Sequence, residues 1–215
     1  MSIYYQDDMV TLYHGDCLTE HREWLDADVL VTDPPYGIAY ESGWVRDRIR
    51  RPINGDADMG ARDDALELWG ARPAAVFGVW HKPRPAATRA RLIWWKGDDP
   101  GMGDLSFPWG KSDEEIYILG SGWKGARGPN VLRANKPPVA NRDNHPTPKP
   151  VSLMEWIITK APDGVIADPF AGSGSTLKAA KALGRKSIGV ELDEAYCEIA
   201  AKRLAQGVLD LGGNA

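Results

Sequence analysis

The fold is decided by residues 165–206, VIADPFAGSGSTLKAAKALGRKSIGVELDEAYCEIAAKRLAQ. Within this stretch an apolar strand at 165–168 runs into a glycine-rich turn, and a second strand follows at 187–191. Patterns typical of helices occupy residues 173–183 and 193–206. Strands and helices that alternate in this way require right-handed crossovers, which produce a parallel sheet with helices on both faces. We therefore predict an α/β fold.

The turn after the first of these strands has the composition of a ligand-binding loop. Gly172 and Gly174 allow the backbone to turn tightly and to approach a ligand closely. Glu191 ends the next strand, about twenty residues further on, where a nucleotide-binding fold places an acid on ribose hydroxyl groups. Because the segment GSGST lacks the spacing of the dinucleotide fingerprint, the pattern favours a mononucleoside ligand over NAD. A purely structural glycine turn is the alternative interpretation.

A second motif, TDPPYG at 32–37, follows a continuous apolar run at 28–32 that is typical of a strand buried on both faces. The carboxyl ends of such strands are where open α/β sheets bind ligands. An exocyclic amine on a nucleobase is a poor nucleophile, because its lone pair is delocalised into the ring. Asp33 and the carbonyl of Pro34 can each accept one N–H bond and draw that nitrogen toward tetrahedral geometry, and the prolines pre-organise both acceptors. Tyr36 can stack on a base swung out of a duplex.

The remaining sequence fits a single domain that spans residues 1–215. We interpret the polar, basic residues 37–60 as a long mobile loop, and residues 97–144 as a mostly irregular region with a role in target recognition. Further strands are predicted at 10–13, 74–79, 92–95 and 115–119, and further helices at 18–25, 63–70 and 151–160.

Together these motifs make the sequence similar to the amino-methyltransferases of DNA, which have an Asp-Pro-Pro-Tyr catalytic loop and an Asp-Pro-Phe-x-Gly-Ser-Gly-Thr-type cofactor loop. HPTPKP at 145–150 resembles the segment that precedes the cofactor loop in the permuted β class, and GDC at 15–17 also matches. The resemblance covers nearly the whole chain. It implies a Rossmann-like, S-adenosylmethionine-dependent methyltransferase fold with a seven-stranded, mostly parallel sheet, circularly permuted so that the catalytic loop comes first.

The resemblance also implies roles for particular residues. The catalytic residues are Asp33, Pro34, Pro35 and Tyr36. The cofactor-binding residues are Asp16, Cys17, Thr147, Lys149, Asp168, Phe170, Ala171, Gly172, Gly174, Thr176 and Glu191. In this set Asp16 and Cys17 flank the adenine of S-adenosyl-L-methionine, Thr147 and Lys149 meet its methionine carboxylate, and Glu191 holds its ribose. Pro148 departs from the family, which often has Gln or Glu there, and we expect little effect from it.

The target base is less sharply defined by the sequence. In this family an Asp-starting loop tends to act on adenine N6 and a Ser-starting loop on cytosine N4, so Asp33 favours adenine. The alternatives are a cytosine-N4 DNA methyltransferase, a relative acting on RNA or on a protein glutamine amide, and a non-catalytic DNA-binding subunit. The intact catalytic and cofactor loops disfavour a non-catalytic subunit. A small methyltransferase without a nuclease motif also suits a phage or mobile-element enzyme that protects DNA in restriction-modification.

Double-stranded DNA is the partner that the resemblance implies, although the net charge of −4 argues against indiscriminate binding of polyanions. The candidate DNA-binding residues are Arg46, Arg48, Arg50, Arg51, Lys124 and Arg127, with Arg133, Lys136 and Arg142 in the same region as the last two. A solvated loop is the alternative interpretation of the four arginines. The short recognition region favours a short recognition sequence, a homodimer, or both. Trp94, Trp95 and Trp109 are more typical of core or loop packing than of base stacking.

Other functional classes lack support in the sequence. The four histidines show no metal-ligand spacing, so we expect no metal. No apolar stretch reaches membrane-spanning length and the N-terminus lacks the features of a signal peptide, so we expect no membrane contact and a cytoplasmic location.

Overall fold

A mixed sheet of nine strands forms the centre of the protein in the computed structural model, which describes residues 3–36, 59–98, 106–135 and 148–206. The strands are β1 (Ile3–Gln6), β2 (Val10–His14), β3 (Val29–Thr32), β4 (Ala74–Gly78), β5 (Ala90–Trp95), β6 (Asp113–Leu119), β7 (Val131–Arg133), β8 (Ile166–Asp168) and β9 (Ser187–Glu191). The helices are α1 (Gly60–Trp69), α2 (Val151–Thr159), α3 (Ser175–Ala182) and α4 (Glu194–Ala205), and a short 3-10 helix covers Glu23–Asp26.

The order of the strands is β1-β2-β9-β8-β3-β4-β6-β5-β7. The central strands β2, β9, β8, β3 and β4 are all parallel, so they all end at one edge of the sheet, which we call the carboxyl edge. β6 runs antiparallel to β4 and β5 runs antiparallel to β6. The first residues of β6 and the last residues of β5 therefore also lie at the carboxyl edge. This arrangement brings together residues from distant parts of the chain.

The predicted mostly parallel sheet with helices on both faces is confirmed, but the prediction of seven strands is wrong. The two strands that were not predicted are β1 and β7, which lie at the two ends of the sheet. Residues of β1 are half-buried or exposed, and β7 has three residues of which one is buried. Such short edge strands bury too little apolar surface to leave a clear alternation in the sequence.

The predicted helix at 18–25 is also wrong, because residues 18–20 form a turn, residues 21 and 22 have no regular structure, and the last three residues belong to a 3-10 helix. One carboxylate oxygen of Asp16 accepts the backbone N–H groups of Leu18 and Thr19, at 2.7 and 3.2 Å. Side-chain acceptors of this kind compete with helical hydrogen bonding. Helical geometry is limited to the 3-10 segment Glu23–Asp26.

The helices pack on opposite faces of the sheet. Ile157 of α2 and Ala180 of α3 pack with Phe77 on one face. On the other face, Trp24 of the 3-10 helix stacks on Trp69 of α1, with 5.8 Å between the ring centroids, and both side chains are fully buried. Each indole N–H donates to a backbone carbonyl, so burial leaves neither group without a partner. Within the described ranges no helix is both long enough and apolar enough to cross a membrane.

Candidate active site

The glycine turn between β8 and α3 is held in one conformation by the backbone. Gly172 and Gly174 have φ angles of 51° and 77°, a region that favours glycine. A Cβ atom added to Gly174 would lie 3.0 Å from the Cβ atom of Ala200 in α4. The N–H of Ala171 donates to the carbonyl of Val190 at 2.9 Å, which ties the turn to β9. The turn thus lies at the carboxyl edge, directly before the start of α3.

Glu191 lies beside this turn at the end of β9. Its carboxylate accepts the N–H of Gly172 at 2.7 Å and the N–H of Asp193 at 2.8 Å. Burial raises the pKa of Glu191, although these two N–H donors act in the opposite direction. The backbone carbonyl of Glu191 accepts the N–H of Gly15 at 3.0 Å. The segment that contains Asp16 and the buried Cys17 therefore lies next to Glu191.

Asp168 links the glycine turn to β3, the strand that precedes the predicted catalytic loop. It is buried, and one carboxylate oxygen accepts the hydroxyl of Thr32 at 2.7 Å and the N–H of Phe170 at 3.2 Å. Burial raises the pKa of Asp168 to about 7, even though these donors favour the ionised form. Thr32 directly precedes Asp33, so a single hydrogen bond connects the two motifs across the adjacent strands β3 and β8.

The predicted catalytic loop begins where β3 ends, at the carboxyl edge. The Tyr36 hydroxyl donates to one carboxylate oxygen of Asp33. The Lys149 ammonium, from the segment before α2, lies 2.5 Å from the other oxygen. Both oxygens of Asp33 are therefore oriented as acceptors. Burial raises the pKa of Asp33 and outweighs the attraction of Lys149, which acts to lower it.

Two further charged residues complete what we call the acid–lysine cluster, defined as Asp33, Tyr36, Lys96, Glu114 and Lys149. Lys149 Nζ lies 3.2 Å from Glu114 Oε2, and Lys96 Nζ lies 2.5 Å from Glu114 Oε1. Burial alone would raise the pKa of Glu114, but the two ammonium groups hold it below its ordinary value. Burial alone would lower the pKa of Lys149, but the two carboxylates hold it above its ordinary value. Two carboxylates and two ammonium groups thus neutralise one another at this site, where Lys149 is buried and the other three side chains are half-buried.

Glu114 and Lys96 were not predicted as site residues. Lys96 directly follows β5, and Glu114 is the second residue of β6, so both lie at the carboxyl edge. Glu114 is opposite Trp94 in the register of the two strands. A charged residue within a buried strand was the available signal. Lys149 was predicted to meet a methionine carboxylate, and the structure places its ammonium on Asp33 and Glu114.

Of the predicted DNA-binding residues, Lys124 and Arg127 are described, and they lie away from the site. The Lys124 ammonium pairs with Asp163, and the Lys124 N–H donates to the carbonyl of Lys160 after α2. This segment follows Leu119, which pairs with the first residue of β4, so Lys124 and Arg127 lie near the edge of the sheet opposite Asp33. Thr147, Lys136, Arg142 and the arginines at 46, 48, 50 and 51 lie outside the described residues.

The other predicted cofactor residues lie around the turn. Ala171 and Thr176 are buried, and Phe170 is partly buried against the cluster that contains Trp24. In the described part of the chain, no group of three His, Cys, Asp or Glu side chains is arranged to hold a metal ion.

Comparisons with known proteins identify the family of this chain. A model of the N6/N4 DNA methylase family matches residues 63–202, a range that contains Lys96, Glu114, Lys149 and the glycine turn. The type II methyltransferase M.ScaI of Streptomyces caespitosus is 27% identical over 261 aligned residues, which cover 94% of this chain and 83% of the relative. The chain belongs to the N6/N4 family of DNA methylases.

Solved structures show the same fold. The M1.HpyAVI–SAM complex has a TM-score of 0.68 at 22% identity and covers 91% of this chain and 99% of its own. The cytosine-N4-specific PvuII DNA methyltransferase also has a TM-score of 0.68, at 17% identity, and covers 99% of this chain and 90% of its own. The α/β fold seen here is therefore that of these methyltransferases.

Proposed function

We propose that this protein transfers a methyl group from S-adenosylmethionine to N6 of an adenine swung out of double-stranded DNA. The observation that carries the proposal is the hydrogen bond from Thr32 to Asp168. It holds the amine-accepting loop and the glycine turn side by side, at the carboxyl ends of two adjacent parallel strands. A methyl donor in the turn and an amine at Asp33 would therefore be neighbours.

The residues of the turn suit S-adenosylmethionine, whose sulfonium supplies an electrophilic methyl group. Each oxygen of Glu191 accepts one backbone N–H, and a carboxylate oxygen has a second lone pair with which to accept a ribose hydroxyl. Asp168 is a buried carboxyl group whose pKa is raised by burial, and the ammonium of the donor would be a suitable counter-ion for its ionised form. Inclusion of the M1.HpyAVI–SAM complex among proteins of this fold supports this assignment.

The catalytic loop suits an exocyclic amine. Asp33 and the carbonyl of Pro34 would accept the two N–H bonds, which localises the lone pair on nitrogen for attack on the methyl group. The prolines at 34 and 35 fix the loop, so the acceptors need little rearrangement. The Asp-starting loop favours adenine over cytosine, and cytosine N4 is the competing outcome in the experiment below.

The surface near the site suits nucleic acid. Trp80 follows β4 at the carboxyl edge, and 69% of its surface is exposed. His81 stacks edge-on against it at 5.4 Å, and the charges of Lys82 and Lys111 act on this imidazole. An exposed aromatic ring among basic groups is the combination that binds bases and phosphates. Lys124, Arg127 and the arginines at 46–51 remain predicted contacts.

The proposal is tested by expression in a bacterial host that lacks DNA methylation, followed by sequencing that detects modified bases. We expect N6-methyladenine at one short sequence, and no modification with Asp33→Ala, which should still bind S-adenosylmethionine by calorimetry. Detection of methylated cytosine instead of methylated adenine would identify cytosine as the target base. Unmodified DNA with the wild-type protein, or full activity of Asp33→Ala, would overturn the mechanism.

A further inference from the structure

Lys149 is shared by two carboxylates in a part of the protein that excludes water. Its side chain is 5% exposed, and Nζ lies 2.5 Å from Asp33 Oδ2 and 3.2 Å from Glu114 Oε2. The aromatic rings of Phe77 and Tyr36 lie 5.1 and 5.5 Å from this ammonium. Because so little water reaches it, Lys149 depends on the two carboxylates for its charge.

This arrangement presents a difficulty for the proposed reaction, on which the present inference rests. Both oxygens of Asp33 already accept hydrogen bonds, one from Tyr36 and the other from Lys149. Each oxygen keeps a second lone pair, but an incoming amine would have to share both oxygens with these donors. A carboxylate paired with a single buried ammonium is a poor acceptor for a neutral N–H, since the ion pair is the stronger interaction.

Glu114 offers both donors a second acceptor. Its Oε2 atom lies 3.2 Å from Lys149 Nζ and 3.4 Å from the Tyr36 hydroxyl. The same two groups that occupy Asp33 therefore already reach one oxygen of Glu114. Lys96 binds the other oxygen, Oε1, at 2.5 Å, and so keeps Glu114 in place and ionised.

We propose that Glu114 is a positioning residue for the methyl transfer, which receives Lys149 and Tyr36 when the target amine binds Asp33. Lys96 is its counter-ion. In this scheme no covalent bond changes at Glu114, and the exchange consists only of hydrogen bonds that move from Asp33 to Glu114 Oε2. The cluster stays neutral throughout, with two carboxylates and two ammonium groups.

The scheme predicts opposite pH effects for two variants. The charged or titratable groups that face Asp33 are Tyr36, Glu114, Lys149 and Asp168, while Lys96 acts through Glu114. Glu114 acts to raise the pKa of Asp33 and Lys149 acts to lower it. E114Q should therefore move the acid limb of the rate profile to lower pH, and K149Q should move it to higher pH.

The experiment measures single-turnover methyl transfer to an oligonucleotide from pH 5.5 to 9, with the full chain saturated in S-adenosylmethionine. E114Q should slow the step at least about tenfold at pH 7.5, because the exchange acceptor is lost, while the affinity for S-adenosylmethionine changes less than about twofold. E114D keeps the charge and should restore much of the rate. Glu115→Gln is the matched control: this neighbour in β6 bonds Arg84, Arg91 and Tyr117, so its loss should leave the acid limb unchanged.

The outcomes separate this inference from the proposed function. If the wild type methylates DNA and Asp33→Ala does not, but E114Q reacts at the wild-type rate, the role of Glu114 is refuted. It is also refuted if E114Q and K149Q move the acid limb in the same direction, or if neither moves it. If E114Q does not fold, K149Q and E114D still test the role of Glu114. An acid limb that lies at the same pH in K149Q as in the wild type contradicts the scheme. Failure of the wild type to methylate DNA refutes the proposed function itself.

Discussion

Replacement of Asp168 by asparagine should make the protein more stable, and the gain should grow with pH. Burial raises the pKa of this carboxyl group from 3.8 to about 7 in the folded protein. Between these values the folded state binds more protons than the unfolded state, so the stability of the wild type falls as pH rises through this window. Asparagine can keep the hydrogen bonds from Thr32 and Phe170 but carries no charge to desolvate.

The magnitude follows from the two pKa values. A shift from 3.8 to about 7 costs the wild type about 4 kcal/mol of unfolding free energy by pH 8. Less than half of this cost is already present at pH 5, so about 2 to 3 kcal/mol should develop between pH 5 and pH 8. The difference in stability between Asp168→Asn and the wild type should increase by that amount over this range.

Urea denaturation of the cofactor-free protein at several pH values and constant ionic strength measures this difference. Asp7→Asn is a suitable control. Its carboxylate pairs with Lys181 at 2.5 Å and accepts the Tyr5 hydroxyl at 2.7 Å, and these partners hold the pKa of Asp7 well below its ordinary value despite burial. The stability that the ionised Asp7 contributes is fully present above the pKa that this carboxyl group has in the unfolded chain. Asp7→Asn should therefore be less stable than the wild type by a constant amount from pH 5 to pH 8. A stability difference for Asp168→Asn that is likewise constant would refute the reasoning.

Gly174→Val should weaken binding of S-adenosylmethionine at least about tenfold in calorimetry, because φ is 77° and the new Cβ meets Ala200; equal affinity would contradict the assignment of the turn. Trp80→Ala should weaken DNA binding by about 1 kcal/mol in fluorescence anisotropy without changing cofactor affinity, and DNA binding as tight as that of the wild type would contradict this role. Replacement of the four arginines at 46–51 by alanine should lower DNA affinity and flatten its dependence on salt, whereas an unchanged slope would assign that loop to another role.

The sequence was sufficient for the parts of the site that are local. The glycine turn and Glu191 are separated by one helix and one strand, so their proximity follows from the strand–turn–helix pattern. The strand before Asp33 was also evident, because an apolar run ends abruptly at two prolines. These signals depend on neighbouring residues and need no knowledge of the complete sheet.

The acid–lysine cluster could not be predicted in the same way. Glu114 reaches the carboxyl edge only because β6 runs antiparallel to β4, and Lys96 does so because β5 reverses direction again. No local pattern specifies these directions. Lys149 was recognised by its motif, yet its partners Asp33 and Glu114 lie far away in the chain and are set by the order of the strands.

The hydrogen bond between Thr32 and Asp168 joins positions 136 residues apart, and this has a consequence for biosynthesis. During translation the amine-accepting loop leaves the ribosome long before the strand that it needs. β3 cannot acquire its neighbour β8, nor Gly172 its bond to Glu191, until the chain has been made as far as Asp168 and Glu191, respectively. Contacts of such long range form late and slowly. A chain that ends before Asp168 would therefore carry the predicted catalytic tetrapeptide but not the turn in which we propose that the methyl donor binds.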